Sequence, residues 1–306
     1  MSHIYILSGI PGSGKSTWAR KFLKASPDTV VVSRDELRKS MYGYTEETVG
    51  EYYKDIPGLR LGQKESLISK EFDSLVRRAI RMGKSVIVDN THVKFSYIKH
   101  YTKFSATLSM EYFNVDFDVA IKRDASRARE VGHEVIQKMH GAYVNLDRAK
   151  VQDALNEHNT TVQAYIFNDE TKPHCVVYDI DGTLAHDTHR NCYDYTKVGS
   201  DDPDPAIVNL CLSTDEHDTE VFVVSGRDDC CKDDTRKWLN DQDIYPTDLI
   251  MRKTGDVRPD WIIKQEIWNK ICDTHYIELM VDDRDQVVDR ARQLGFKVAQ
   301  VALGDF

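Results

Sequence analysis

No run of eighteen apolar residues occurs anywhere in this 306-residue sequence, which excludes a hydrophobic helix long enough to cross a bilayer. The opening MSHIYILSGI has no basic stretch ahead of its apolar one, and the apolar run breaks at Ser8-Gly9. We therefore expect no secretory leader, no membrane partner and a cytoplasmic location. Cysteine is sparse, six residues all lying between Cys175 and Cys272. None forms a C-x-x-C pair and the histidines lack ligand spacing, which argues against a zinc site and for reduced thiols. Internal repeats and low-complexity tracts are absent too, which argues against a solenoid or a disordered chain.

What is present is a globular composition, 41% hydrophobic and 30% charged, in a chain long enough for two domains. The net charge of −9 is unevenly placed. Residues 1–150 carry 25 Lys and Arg against 18 Asp and Glu, a net of +7, and residues 151–306 carry 16 against 32, a net of −16. A basic front half suits a polyanion, although the acidic total argues against non-specific coating of DNA. Asp-rich turns such as SDDPDP (200–205) read as solubilising the rear half.

Short β-branched runs alternate with helical spacing. HIYILS, VVVS, SVIVD and LSMEYFNV read as front strands, and Ile68, Phe72, Leu75, Val76, Ala79 and Ile80 mark a helix that stops at Gly83. Residues 151–172 are polar, partly helical and without strand signal; we take them as a connector. Alternation resumes with CVVYD, EVFVVSGR, DLIMR, IELMVDD and KVAQVAL. The expected fold class is α/β in two domains, each a mainly parallel sheet flanked by helices, at 1–150 and 173–306.

Gly9-Ile-Pro-Gly-Ser-Gly14-Lys15-Ser16 fits G-x-x-x-x-G-K-[ST] between a strand and a helix. Gly9, Gly12, Ser13 and Gly14 would let backbone N–H groups converge on phosphates, with Thr17 in the first helical turn. Lys15 would reach the β/γ-phosphates and Ser16 would ligate Mg²⁺. Past the next strand, SRDELRKS offers Asp35 to accept a hydroxyl proton and Arg38, one turn on, to hold an acceptor phosphate. A helix-capping Asp with a solvated Arg is the alternative. Asp89 is a candidate for Mg²⁺ or acceptor positioning, or a structural carboxylate. Arg123 and Arg127 could close over the transferring group or form a solvated face.

The rear half offers VVYDIDGTLA (176–185). In extended chain, Asp179 and Asp181 point the same way, Gly182 permits a sharp turn and Thr183 adds a hydroxyl. A carboxylate can attack phosphorus when a metal offsets repulsion, and a second acid can serve the leaving oxygen. Ser225 and Arg227 at a strand end could donate to phosphate, Lys264 lies on a helix, and Asp282 with Asp283 could complete a Mg²⁺ shell.

DIDGT with these later groups resembles the haloacid-dehalogenase phosphatase superfamily, and GIPGSGKSTWAR with SRDELR resembles the polynucleotide kinase branch of P-loop phosphotransferases. Joined in this order, through IKRDASR, VVSGR, VDDRDQVV and the final GDF, they resemble the phage-type polynucleotide kinase–phosphatases. The resemblance implies ATP and Mg²⁺ at Lys15 and Ser16, Asp35 as base towards a 5′-hydroxyl, Arg38 on the acceptor phosphate and Arg127 on the donor. It implies Asp179 as nucleophile and Asp181 as acid/base, with Arg190, Arg227, Asp260, Lys264 and Asp283 in support. It also implies 5′-hydroxyl and 3′-phosphate ends of RNA or DNA as substrates, a ligase acting alongside, and a phage enzyme in a host cytoplasm; homo-oligomerisation stays open. A small-metabolite kinase fused to a metabolite phosphatase is the alternative, and a nucleotide-binding switch on a degenerate phosphatase scaffold ranks below it, since every expected carboxylate and lysine is in place.

Overall fold

The protein is described from a computed structural model over residues 2–45, 47–55, 59–126, 131–191, 194–215 and 219–304. It divides into two compact units, Met1–Gln163 and Ala164–Phe306. The front unit runs β1 (His3–Ser8), α1 (Lys15–Ala25), β2 (Thr29–Val32), α2 (Arg34–Tyr42), α3 (Leu61–Arg81), β3 (Ser85–Val88), α4 (Phe95–Lys99), β4 (Thr107–Tyr112), α5 (Phe117–Ala125), α6 (His133–Val144) and α7 (Arg148–Gln163). Its four strands are parallel in the order β2-β3-β1-β4. Ile4 and Ile6 pair with Val86 and Val88, and all four are fully buried, as expected of near-continuous apolar strands covered on both faces.

Ile68, Phe72, Val76 and Ile80 on α3 are all buried in the core beneath that sheet. The helix starts earlier than its apolar spacing indicates, because the Gln63 side chain accepts from the Arg60 N–H at 2.9 Å and caps its first turn. It ends at Arg81 with Met82 as its C-cap, and the chain turns at Gly83, whose φ of 71° suits glycine.

The connector expected at 151–172 needs correction. Val151, Leu155, His158 and Val162 bury one face of α7, and Asn159 bonds both the N–H and the C=O of Leu108 in β4. These contacts make α7 part of the front unit, which extends to Gln163.

The rear unit runs β5 (His174–Tyr178), β6 (Ala185–His186), β7 (Asp202–Pro203), α8 (Pro205–Asp215), β8 (Glu220–Asp228), α9 (Lys232–Asp241), β9 (Asp248–Arg252), α10 (Asp260–Cys272), β10 (Tyr276–Arg284), α11 (Asp285–Gln293) and β11 (Val298–Gly304). Five strands are parallel in the order β11-β10-β5-β8-β9, and β6 with β7 form a separate antiparallel ribbon. Both units are thus α/β with parallel sheets, as expected. Among the described residues the cysteines are free thiols, Cys192 lying outside them, and no helix is long and apolar enough to cross a membrane.

Strand order decides where chemistry gathers, because parallel strands present all their carboxyl ends at one edge. In the front unit the ends of β1, β3 and β2 lie side by side; in the rear unit those of β10, β5 and β8 do.

Candidate active sites

The chain leaving β1 turns through Gly12 (φ 81°) and Gly14 (φ 99°) into α1. A Cβ on Gly12 would come 3.0 Å from the Ala120 carbonyl oxygen, so both backbone angle and space call for glycine. No side chain caps α1, which leaves its first N–H groups available to an anion. Lys15 is buried and donates to the carbonyls of Gly9 at 2.8 Å and Ile10 at 3.0 Å, with Ser13 Oγ at 3.4 Å. Arg123 on α5 donates to the Gly12 carbonyl at 2.9 Å. Ser16 and Thr17 start the helix on its exposed side. Asp89, at the end of β3, accepts from the Ser16 hydroxyl; burial pushes its carboxyl up and Lys15 opposes the shift. The structure brings these residues together at the carboxyl end of β1 and β3. Arg127 lies outside the described residues.

Asp35 and Arg38 also meet. Arg38 Nη1 donates to Asp35 Oδ1 at 2.7 Å, with the Asp35 side chain 75% exposed and Arg38 at 14%. Ser33, not Asp35, stands at the N-cap of α2, so the capping alternative falls. Sequence reasoning missed what grips Arg38 from the other side: Glu65 on α3 accepts from its Nε and Nη2, both at 2.9 Å. The Arg38 guanidinium also lies 5.6 Å from the Tyr52 ring centre and 5.7 Å from that of Tyr53. Burial works against its charge, yet Glu65, Tyr53 and Asp35 hold its pKa above the ordinary value. Glu65 carries no local signal, being 27 residues from its partner. On the same unit a cavity of about 440 Å³ opens beside Ile10, lined by Phe113, Asn114, His140, Tyr143 and Arg148 among others.

In the rear unit Asp179 directly follows β5, and Gly182 (φ 79°) turns the chain so tightly that a Cβ there would collide with Asp283 Oδ2. Lys264 on α10 donates to Asp179 Oδ1 and Asp282 Oδ2, both at 2.7 Å, and lies 3.6 Å from Asp260. Carboxylate oxygens of Asp179, Asp282 and Asp283 all lie within 4.8 Å of one another, a donor set suited to a hard divalent cation. Without a cation their mutual repulsion is visible. Burial, with Asp282, Asp283 and Asp260, pushes Asp179 well up against the pull of Lys264. Burial and Asp282 push Asp283 up to about 6. Burial disfavours the charge on Lys264, yet its three acids hold it well above its usual value.

Asp181 sits differently from its expected place among the metal ligands: its carboxylate is outside that cluster. It accepts from Arg227 at 2.8 and 2.7 Å and from Arg190 at 3.1 Å. Both arginines are tied in turn by Asp201, at 2.6 and 2.8 Å from Arg190 and 2.6 Å from Arg227. Asp201 lies in the SDDPDP stretch read as solubilising; it is instead buried, and its carbonyl accepts from Trp238. Thr183 Oγ1 and Arg227 Nη1 are buried without a protein partner among the described residues, which leaves donors for a ligand oxygen. Ser225 is buried and accepts from the Arg227 N–H. Asp260, expected in support, is held low against burial by Lys264, Arg284 and Arg252. Arg252, also missed, bonds Asp260 at 3.1 Å and the Gly226 carbonyl at 2.8 Å.

Comparison with known proteins follows this division. Residues 4–146 match the AAA domain family, and residues 173–306 match the polynucleotide kinase PNKP phosphatase domain. The chain is 26% identical over 298 residues to a "Putative bifunctional polynucleotide kinase/RNA ligase" of Autographa californica nuclear polyhedrosis virus, covering 93% of this chain and 40% of that protein. A chain of the Pnkp1/Rnl/Hen1 RNA repair complex is 26% identical with a TM-score of 0.46, covering 100% of this chain and 97% of that one. A class C acid phosphatase from Bacillus anthracis is 15% identical over 52% of this chain and 74% of its own, with a TM-score of 0.36. Domains of these two kinds imply use of a nucleotide and of a divalent metal. One chain thus carries a match to an AAA domain in its front half and a match to the polynucleotide kinase PNKP phosphatase domain in its rear half.

Proposed function

We propose that this chain heals broken nucleic-acid ends: its front unit moves the γ-phosphate of ATP to a 5′-hydroxyl of RNA or DNA, and its rear unit removes a 3′-phosphate. The observation that carries the reading is the Asp35–Arg38 pair at the carboxyl edge that Lys15 also lines. A carboxylate beside a guanidinium suits an acceptor that presents a hydroxyl and carries a phosphate of its own, which a sugar or polyol lacks. Asp35 takes the hydroxyl proton as oxygen attacks, and Arg38 holds the neighbouring phosphate. Lys15 exchanges its bonds to the Gly9 and Ile10 carbonyls for the β/γ-phosphates, and Arg123, with Arg127, stabilises the transferring group. Ser16 and Asp89 would hold Mg²⁺, which when bound offsets phosphate charge. The cavity beside Ile10, with its aromatic and cationic lining, has room for the nucleoside of the donor.

In the rear unit an Asp179 oxygen forms a bond to phosphorus while the bond to the 3′-oxygen breaks, leaving an aspartyl-phosphate. Asp181 gives the departing oxygen its proton and then takes one from the water that attacks phosphorus, which breaks the Asp179–phosphorus bond and frees inorganic phosphate. Lys264 orients Asp179, and Arg227, Ser225 and Thr183 hold phosphate oxygens. Asp179, Asp282 and Asp283 fit Mg²⁺, which would lessen repulsion between nucleophile and phosphate. The ends produced suit a ligase, which accords with the viral relative being called a polynucleotide kinase/RNA ligase. The test is label transfer from γ-labelled ATP to 5′-hydroxyl RNA and DNA oligomers, with phosphate release from 3′-phosphorylated ones. Transfer to a sugar or polyol in preference to oligomers would favour a metabolite kinase instead.

A further inference from the structure

Four tyrosines cluster where α2 runs into the 3-10 turn Val49–Tyr53. Tyr52 is fully buried, with Tyr42 and Tyr44 set edge-on to its ring at 5.3 and 6.2 Å between centres. Its chain neighbour Tyr53 stands at right angles to it, 5.2 Å between ring centres at 87°, and is 43% exposed. The buried ring anchors the turn while the adjacent one is shown to solvent. Arg38 packs against both rings and is pinned bidentately by Glu65. A partly exposed aromatic ring is thereby fixed next to the guanidinium assigned to the acceptor's phosphate. Nothing in the phosphoryl chemistry uses this ring. Single-stranded ends are commonly gripped in this way, by a cation on the phosphate and an aromatic ring under the base.

We propose that Tyr53 is a stacking platform for the base of the acceptor's 5′-terminal nucleotide. The assignment rests on the reading of the front unit as a polynucleotide kinase and deepens it. It makes Tyr53 a specificity residue, favouring nucleotide acceptors over phosphorylated sugars and tolerating any base, since every base offers a π-face.

The test uses the full chain at saturating ATP with two acceptors, a 5′-hydroxyl oligonucleotide and the same oligonucleotide abasic at its 5′-terminal residue. Tyr53→Ala should raise KM for the intact acceptor roughly 5- to 150-fold with kcat kept, the range of one lost base stack. Wild type and Tyr53→Ala should have equal KM for the abasic acceptor, and Tyr53→Phe should restore wild-type KM on the intact one. An unchanged KM in Tyr53→Ala, or an equal loss on both acceptors, overturns the assignment while leaving the kinase reading standing. A wild-type chain that labels neither acceptor overturns the kinase reading and this assignment together.

Discussion

Lys264 is a cation sealed among acids, 2.7 Å from Asp179 and from Asp282, and 2% exposed. Lys264→Met would leave those carboxylates facing one another, at a cost of about 3–5 kcal/mol. We expect a lower melting temperature for the rear unit, partly restored by Mg²⁺, and loss of phosphate release; calorimetry with and without the ion checks it, and an unchanged melt would contradict it. The same crowding makes metal binding compete with protons. Because burial and Asp282 push Asp283 up to about 6 and a cation needs it ionised, Mg²⁺ affinity should fall as pH drops through about 6. Isothermal titration between pH 5 and pH 8, as round values spanning that pKa, reads the slope directly.

Between residue and fold lie two turns that the functional groups depend on. After β3, Thr91 O accepts from the Gly9 N–H at 3.0 Å, His92 O accepts from the Ser8 hydroxyl at 2.9 Å, and the His92 ring bonds Leu7 O at 2.7 Å and the Tyr101 hydroxyl at 2.6 Å. The phosphate loop is thus braced from behind. Burial lowers His92 to about 4 from 6.5, so the unfolded chain takes up this proton first as pH falls. The contribution is whole above pH 6.5 and lost between there and about 4, a swing of about 3 kcal/mol. Denaturant midpoints across that window should decline in wild type, and more gently in His92→Phe. The second turn is at Gly182. Gly182→Ala should abolish phosphate release while leaving transfer from ATP intact, since φ of 79° and Asp283 both oppose a Cβ; parallel assays of the two activities decide. The Gly182 turn and the phosphate loop were legible as sequence, their glycines lying in contiguous patterns around Asp179 and Lys15; the brace at Thr91 and His92 was not. Glu65, Tyr53 and Asp201 were not, because each acquires meaning from a partner far along the chain: Arg38 for the first two, Arg190 and Arg227 for the third. Composition misled at SDDPDP for the same reason, and at α7, whose polar exposed face hid four buried residues.

At the scale of the whole molecule, two units each place their chemistry at the carboxyl edge of a parallel sheet, the front net basic and the rear net acidic. The cores are separate, so large-to-small changes in one should spare the other. Phe72→Ala, in the front core, should cost about 3–5 kcal/mol there and leave phosphate release unaltered below the new melting point. The account's central claim is that one chain adds phosphate at one site and removes it at another, with no residue in common. Its most direct measurement assays both activities on wild type, Asp35→Ala and Asp179→Asn, using γ-labelled ATP with a 5′-hydroxyl oligonucleotide and a 3′-phosphorylated one. The prediction is a crossed pattern, with Asp35→Ala losing transfer and keeping release, and Asp179→Asn the reverse. A single substitution that silences both, or an Asp179→Asn chain that still releases phosphate at the wild-type rate, would contradict it.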